Sequence, residues 1–413
     1  MDRLISLSEA VSRLDNAVAP MPTMEIGVLQ SYGRVLAKDV VARFDMPPFP
    51  RAMLDGFAVI ADDTRSASRE HPVRLQIAAT IPAGQDPDGQ CKPGTAYRTM
   101  TGAPIAPGAD AIVRLEHAQE VRVDGKRYVD VFREVQPGEA IQPQGHDMLK
   151  ESSMLEAGTR IGPVDMGTLA MHGYQVVSVH DVPRVAIVAT GSELVHADEP
   201  LTYGKLYDSN TALLAGILSA VGIPHVGLVP VSDDPAHLAK RFSEALNDCD
   251  LLVTTGGVSV GDYDLVPSVL ESLGVRRIFW GVRMRPGTPV YAGLYDGKVV
   301  LALSGNPAAA YVNAHVFLLP VLARMMGKGN ERLPKVVSAR MRHWPNKRRA
   351  NLTRFLRGRL VVDGAELWID LHPEQSSGSL GSFLGMTGLA QIEPEADLTD
   401  GTLVPVYLTV GSI

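Results

Sequence analysis

The residues best suited to catalysis or ligand binding lie in one stretch past the middle of the chain, where an apolar run that begins at Leu251 is followed by glycines. Glycines let a backbone approach a ligand and turn its N–H groups toward an anion, and a helix predicted to begin near Leu265 adds positive partial charge at its N-terminus. The stretch therefore indicates either a phosphate-binding loop or a tight turn. It is neither the nucleotide P-loop, which needs Gly-Lys-Ser/Thr, nor the dinucleotide fingerprint. Small, hydroxyl and acidic residues follow the apolar run: Gly256, Gly257, Ser259, Gly261, Asp262 and Asp264.

This stretch belongs to a region, residues 183–328, in which apolar strands alternate with helices. Such alternation predicts a doubly wound α/β domain with a mainly parallel sheet. We expect its strands at Val185–Ala189, His225–Val229, Leu251–Thr255 and Val299–Leu303. We expect its helices at Ser209–Val221, Pro235–Asn247, Leu265–Leu273 and Pro307–Met326.

Polar residues follow each of these four strands. Ligands of such sheets bind beyond the carboxyl ends of the strands, so the four strand ends together predict a common small-molecule site. Coincidental turn chemistry at each strand end is the alternative. The segments that follow the strands are Thr190-Gly191-Ser192-Glu193, Pro230 to Asp234, Gly256 to Asp264, and Ser304-Gly305-Asn306-Pro307.

Carboxylates also lie at these strand ends, and beside a bound phosphate they would repel it unless a cation lies between them. A Mg²⁺ ion held by carboxylate and phosphate oxygens is the simplest solution. The candidate ligands are Glu193, Asp233 and Asp264. We expect Asp234 and Asp262 to cap helices instead, since each lies next to a predicted helix start.

The rest of the chain is read as two β-rich regions and one mixed region. Alternating apolar residues predict a β-rich domain at residues 51–144, inserted into a mixed domain formed by residues 1–50 and 145–182. Short alternating runs in residues 329–413 predict a C-terminal β-barrel-like domain. A capping box at Ser6 predicts a first helix, and Gly27 to Ala37 is interpreted as a second short helical element. The loop Ser376 to Ser382 is either a flexible turn or a hydroxyl-rich loop that faces the shared site.

Composition narrows the class of protein. A chain of 413 residues with net charge −7 has room for several domains and is not expected to bind nucleic acid. We read no apolar run close to the roughly 20 residues that span a bilayer, so no membrane association is expected. The two cysteines, Cys91 and Cys249, lack metal-site spacing and are interpreted as packing residues of a cytoplasmic protein.

Taken in order, the motifs of this chain resemble those of the molybdopterin molybdenumtransferase family, which includes the gephyrin E-domain. The resemblance extends from the N-terminal helix to the last β-rich region. It is carried by Met46 to Ala58, Thr99 to Val113, Gly145-His146-Asp147, Ala189 to Leu194, Tyr207-Asp208-Ser209-Asn210, Thr255 to Asp264, Met284 to Pro289 and Leu303 to Pro307.

The resemblance implies a four-domain protein that forms an elongated homodimer. It implies a reaction in which molybdate is inserted into the dithiolene of adenylylated molybdopterin, with release of AMP and a need for Mg²⁺. A molybdopterin adenylyltransferase is a possible partner. The functional positions that the resemblance implies are Asp55, Thr101, Asp147, Glu193, Asp233 and Asp264, in a cleft between domains. With the strand-end residues named above, the implied substrate-binding set includes Asp208, Ser209, Asn210, Arg285, Pro286 and Gly287.

The chain departs from the family where positive charge is expected. Lysines are usual at three positions that hold Gly281, Arg285 and Thr288 here, while Arg283 adds a new charge. A guanidinium binds an oxyanion with a planar fork rather than as a point charge. Two alternatives therefore accompany an active insertase: a pterin-binding scaffold with weak activity, and an insertase with altered oxyanion choice, such as tungstate.

Overall fold

The computed structural model describes residues 4–195, 197–259, 265–327, 334–344, 350–396 and 398–411. The chain divides into two compact units. The first unit comprises Met1–Lys38, Ala157–Met166 and Gln175–Ile413, and the second comprises Asp39–Glu156 and Gly167–Tyr174. The four-domain division stays a prediction.

A six-stranded sheet forms the centre of the first unit. Its strands, labelled in chain order, are β1 (Val185–Thr190), β2 (His225–Val231), β3 (Leu251–Thr255), β4 (Arg276–Trp280), β5 (Tyr291–Tyr295) and β6 (Lys298–Leu303). The order is β2-β1-β3-β6-β5-β4. The four predicted strands are parallel neighbours. Strand β5 pairs antiparallel with β6, and β4 pairs antiparallel with β5; these two strands were not predicted.

Helices cover both faces of this sheet. Val185 and Ile187 of β1 pack into one hydrophobic core, and Ala186 and Val188 pack into another, so the strand is buried on both sides. This confirms the predicted doubly wound α/β fold.

The α-helices described in the two units together are Leu7–Ala17, Pro163–Met171, Asn210–Ala220, Pro235–Asp248, Val266–Ser272, Pro307–Asn313 and Leu319–Met325, with a π-helical turn at Ala314–Leu318.

The continuous helical stretch Pro307–Met325 is the one described helix long and apolar enough to cross a membrane. Its most apolar window is 83% buried inside the protein, which is equally typical of a core helix. The helix packs in the hydrophobic core of the first unit and is not a clear membrane span.

The N-terminal region confirms one helix prediction and contradicts another. Ser6 caps the helix Leu7–Ala17 by accepting a hydrogen bond from the Glu9 N–H, as the capping box predicted. The predicted helical element from Gly27 to Ala37 was wrong, because only Val28–Gln30 makes a single 3-10 turn. Isolated β-bridges hold the end of this segment in an extended conformation, Val35 with Arg160 and Leu36 with Val179, and the strand Thr23–Gly27 before it pairs with Val176–His180.

A closed barrel of five strands follows the α/β region, as predicted. Thr353–Asp363 pairs on one side with Glu366–Leu371 and on the other with Gly388–Ile392, which closes the ring. A two-residue strand, Met284–Arg285, pairs in parallel with the start of Thr353–Asp363. The other barrel strands are Val336–Arg342 and Leu403–Leu408, and a separate small pair joins Leu194–Val195 to Leu206–Tyr207.

The second unit is built around the inserted β-rich region. Its main sheet has six strands in the order Ala111–Arg114, Gly56–Val59, Thr95–Thr99, Val73–Ile81, Lys126–Val131 and Ala118–Val123. Two short pairs complete it, Val40–Val41 with Ser153–Leu155 and Arg51–Ala52 with Ile141–Gln142. Cys91 here and Cys249 in the first unit are buried and free, which agrees with their interpretation as packing residues.

The π-helical turn holds a buried histidine that makes stability depend on pH. His315 is fully buried, its Nδ1 lies 2.9 Å from the Tyr311 carbonyl oxygen, and its Nε2 accepts from the Val410 N–H. Burial lowers the pKa of His315 from 6.5 to about 4. Because the unfolded chain binds the proton more readily, stability from neutral His315 is complete above about pH 6.5 and is lost as pH falls toward 4.

We expect His315→Gln to melt at a temperature that falls less steeply between pH 6.5 and 4 than that of the wild type. The lowered pKa is worth about 3 kcal/mol across this window. Thermal melts at several pH values measure the slope, with His71→Gln, which removes an exposed histidine, as the control. Equal slopes in all three proteins would contradict the assignment.

Candidate active site

The ends of three parallel strands of the α/β sheet are in direct contact. The Gly256 N–H, just after β3, donates to the Leu303 carbonyl oxygen at the end of β6 (3.1 Å). Thr190, the last residue of β1, donates from its hydroxyl to the Thr255 carbonyl oxygen (3.3 Å). Gly305 packs against the Gly256 backbone. The predicted convergence of these strand ends is therefore present in the fold.

Glycine is required where these loops meet. A Cβ atom at Gly256 would lie 2.2 Å from the Thr190 carbonyl oxygen, and the φ of Gly256 is +94°. A Cβ atom at Gly257 would lie 2.8 Å from the side chain of Val266, and its φ is +59°. The glycine pair therefore allows an approach of two backbones that side chains would prevent.

A reciprocal pair of hydrogen bonds joins the loops after β1 and β2. The Ser192 N–H donates to Asp233 Oδ2 (2.9 Å), and the Asp233 N–H donates to Ser192 Oγ (3.1 Å). The neighbouring Glu193 carboxylate folds over Gly191, where a Cβ atom would lie 2.6 Å from Glu193 Oε2. Two of the predicted metal ligands, Glu193 and Asp233, thus flank the same serine.

The carboxylates of Glu193 and Asp233 carry the hard oxygen donors that Mg²⁺ prefers, and Glu193 is exposed to solvent. Among the described residues no group of three His, Cys, Asp or Glu side chains could hold a metal. The third predicted ligand, Asp264, lies outside the described residues, as do Gly261 and Asp262. Asp234 accepts from the N–H groups of Ala236 and His237, which confirms it as a helix cap.

The helix Asn210–Ala220 brings a carboxamide to the strand ends. Asn210 Nδ2 donates to the Gly305 carbonyl oxygen (2.9 Å), while its buried Oδ1 has no partner among the described residues. Asp208 Oδ1 accepts from the N–H groups of Asn210 and Thr211, so it acts as a cap of this helix, which begins after Ser209. The predicted binding roles of Asp208 and Ser209 stay predictions.

The serine-rich loop of the barrel lies beside the loop after β6. The Ala308 N–H, in the first turn of the helix that begins at Pro307, donates to the Ser377 carbonyl oxygen (3.1 Å). Asn306 Nδ2 lies 3.5 Å from Ser377 Oγ. Ser304, at the other end of this loop, is buried. Of the two readings of this serine-rich loop, the contacts support the one in which it faces the strand-end site.

The segment Arg285-Pro286-Gly287 packs against a second buried side-chain amide, that of Asn313, which was not predicted from the sequence. Arg285 is exposed, while Pro286 and Gly287 are buried. A Cβ atom at Gly287 would lie 2.1 Å from Asn313 Oδ1. Asn313 is fully buried, and neither of its amide atoms has a partner among the described residues. An asparagine inside an otherwise apolar helix is the sequence feature that could have pointed to Asn313.

The second unit holds the remaining predicted site residues. The hydroxyl and the N–H of Thr101 both donate to Asp55 Oδ1, at 2.7 and 2.8 Å. These hydrogen bonds, with a smaller contribution from the charge of Arg98, lower the pKa of the Asp55 carboxyl. Asp147 is exposed, and its N–H donates to the Met46 carbonyl oxygen (2.9 Å). Thr101 therefore fixes the position of the Asp55 carboxylate.

Family models and relatives match both parts of the chain. Residues 5–173 match the MoeA N-terminal region (domain I and II), and residues 186–324 match a probable molybdopterin binding domain. A molybdopterin molybdenumtransferase from Bacillus subtilis is 38% identical over 77% of this chain and 74% of its own length. One from Staphylococcus epidermidis is 32% identical over 98% of this chain and 96% of its own. The crystal structure of a molybdopterin biosynthesis moeA protein from Pyrococcus horikoshii superimposes with a TM-score of 0.83, at 29% identity, and covers 98% of this chain and 99% of that one.

The fold and these matches define a multidomain transferase of molybdenum cofactor biosynthesis. The chain belongs to the molybdopterin molybdenumtransferase family. This confirms the family and the enzyme class that the motifs predicted.

Proposed function

We propose that this protein inserts molybdate into the dithiolene of adenylylated molybdopterin, with release of AMP and with Mg²⁺ as the required metal. The observation that carries the proposal is that glycine-containing loops and two carboxylates meet at one edge of the α/β sheet. Gly256 and Gly305 lie in these loops, which form the proposed glycine cradle, and Glu193 and Asp233 supply the carboxylates. A pterin phosphate joined to AMP is a small polyanion, which suits such a cradle together with a cation.

Each group at the strand ends has a role in this proposal. The glycine cradle binds the phosphates of the substrate, and the amide of Asn210 and the loop at Ser304 orient the pterin end. When bound, Mg²⁺ offsets the negative charge on the bridging phosphates, and Glu193 and Asp233 would hold it. The molybdenum–sulfur exchange itself belongs largely to the substrate.

The second unit holds a carboxylate, Asp55, which Thr101 fixes by two hydrogen bonds. The hydrogen bonds from Thr101 lower the pKa of Asp55, and its carboxylate can accept a hydrogen bond or bind a cation. The proposed role of Asp147 rests on the family motif that contains it. The proposal also includes a cytoplasmic location, a homodimer, and a molybdopterin adenylyltransferase as the partner that supplies the substrate. Family membership supports these three points.

The test is AMP release from adenylylated molybdopterin at fixed Mg²⁺, with and without molybdate. We expect release that depends on both molybdate and Mg²⁺. Binding of the adenylylated pterin without release would contradict the insertase and support the scaffold alternative. Release with tungstate but not with molybdate would instead support altered oxyanion choice.

A further inference from the structure

We propose that Arg283 is a substrate-binding residue that, with Arg285, replaces the lysine charges missing from this chain, and that the two guanidinium groups bind the oxyanion together. This inference rests on the proposed function, in which molybdate is a substrate. It concerns a residue that the family motif does not include.

Neither of the two positions that hold Gly281 and Thr288 supplies a positive charge in this chain. Gly281 is buried and has a φ of +88°, a backbone conformation that residues with a side chain rarely adopt. Thr288 is half-buried, and its hydroxyl donates to the Met284 carbonyl oxygen. Positive charge for an oxyanion must therefore come from neighbouring positions.

Arg283 and Arg285 lie on the solvent side of the same short segment. Both are exposed, whereas Met284 between them is fully buried in the core of the first unit. Their Cα atoms are separated by at most about 7 Å, the length of two extended residues. Two arginine side chains at this spacing can reach one tetrahedral oxyanion, and each can offer a planar pair of N–H donors.

Backbone hydrogen bonds fix the position of Arg283. Its N–H donates to the Ile5 carbonyl oxygen (2.9 Å), and its carbonyl oxygen accepts from the Thr353 N–H (3.1 Å). In the parallel pairing of this segment with the barrel, Arg285 is the partner of Arg354, whose buried guanidinium lies over the Trp344 ring. The barrel thus holds the segment in place from one side.

The charges of Arg283 and Arg285 are not neutralised by other described residues. Neither side chain makes a hydrogen bond or an ion pair within the part of the chain that the structure describes. Other arginines of this unit are paired, for example Arg277 with Glu271 at 2.7 Å. In a chain with net charge −7, two adjacent cations without carboxylate partners are suited to an external anion.

The test compares molybdate binding and turnover in Arg283→Met, Arg283→Lys and Arg276→Met. Arg276 is an exposed arginine of β4 and serves as the matched control for loss of one positive charge. Equilibrium dialysis with radiolabelled molybdate measures binding to the protein alone. We expect affinity to fall about tenfold in Arg283→Met, the loss typical of one charge-assisted hydrogen bond, and only in part in Arg283→Lys. Arg276→Met should bind as the wild type does.

Turnover distinguishes failure of this inference from failure of the proposed function. In AMP release, Arg283→Met should raise the KM for molybdate about tenfold and leave kcat and the KM for adenylylated molybdopterin unchanged. Wild-type affinity in Arg283→Met, an equal loss in Arg276→Met, or no molybdate binding by the wild type would each overturn the inference. If the wild type binds molybdate through Arg283 yet releases no AMP, the proposed function fails and the binding role stands.

Discussion

The variant Gly256→Ala is expected to lose AMP release by a factor on the order of 100 and to unfold about 3 kcal/mol more easily. The added Cβ atom would lie 2.2 Å from the Thr190 carbonyl oxygen and 2.9 Å from its hydroxyl oxygen. A φ of +94° is also energetically unfavourable for a residue with a Cβ atom. The loop after β3 must therefore move away from β1, and the phosphate cradle moves with it.

A matched substitution separates this effect from a general response to alanine. Gly216 is an exposed glycine within the helix Asn210–Ala220, and a Cβ atom there would have no neighbour within 4 Å. Gly216→Ala should raise the free energy of unfolding by up to about 1 kcal/mol and leave turnover unchanged. Urea unfolding and AMP release measure both variants. Wild-type turnover in Gly256→Ala would remove the cradle from the proposed function.

Much of the α/β region could be predicted because local and global signals agree there. Strand β3 has the predicted bounds, Leu251–Thr255, since a fully buried strand reads as a continuous apolar run between turn residues. Strands β4 and β5 were missed because each is only five residues long, and the edge strand β4 has mostly half-buried and exposed residues. Their sequences carry no clear alternation that would separate them from loops.

The candidate site was predicted in part. Glycines and carboxylates at strand ends indicated one edge of the sheet, and the structure brings those strand ends into contact, because ligands of α/β sheets lie beyond the carboxyl ends of the strands. The hydrogen bonds from Thr101 to Asp55, and the contacts of Ser377 with the loop after β6, join residues far apart in sequence. No local pattern specifies such contacts. The orientation of Arg283 likewise depends on its pairing with Ile5 and Thr353, which a sequence does not display.

Removing the charge of Asp233 is expected to reduce AMP release by a factor on the order of 100. We also expect the Mg²⁺ concentration needed for half-maximal activity to rise by roughly 10- to 100-fold, the range for loss of a group that supports a metal site. The carboxylate has two functions that substitutions can separate. It accepts the Ser192 N–H, which holds the loop after β1, and it offers its charge to a cation beside Glu193. Asp233→Asn keeps an acceptor for Ser192 and removes the charge, whereas Asp233→Ala removes both.

The two variants should therefore differ in stability and agree in their need for metal. We expect Asp233→Asn to melt near the wild-type temperature and Asp233→Ala to lose about 1 kcal/mol of stability through the lost hydrogen bond. Asp234→Asn is the matched control, because it removes the same charge one residue away while asparagine still caps the helix that begins at Pro235. Thermal melts and Mg²⁺ titrations of AMP release measure these effects. If Asp234→Asn needs as much Mg²⁺ for AMP release as Asp233→Asn does, only the net charge of the loop matters. If Asp233→Asn needs no more Mg²⁺ than the wild type, the Asp233 carboxylate is structural and the metal is held elsewhere.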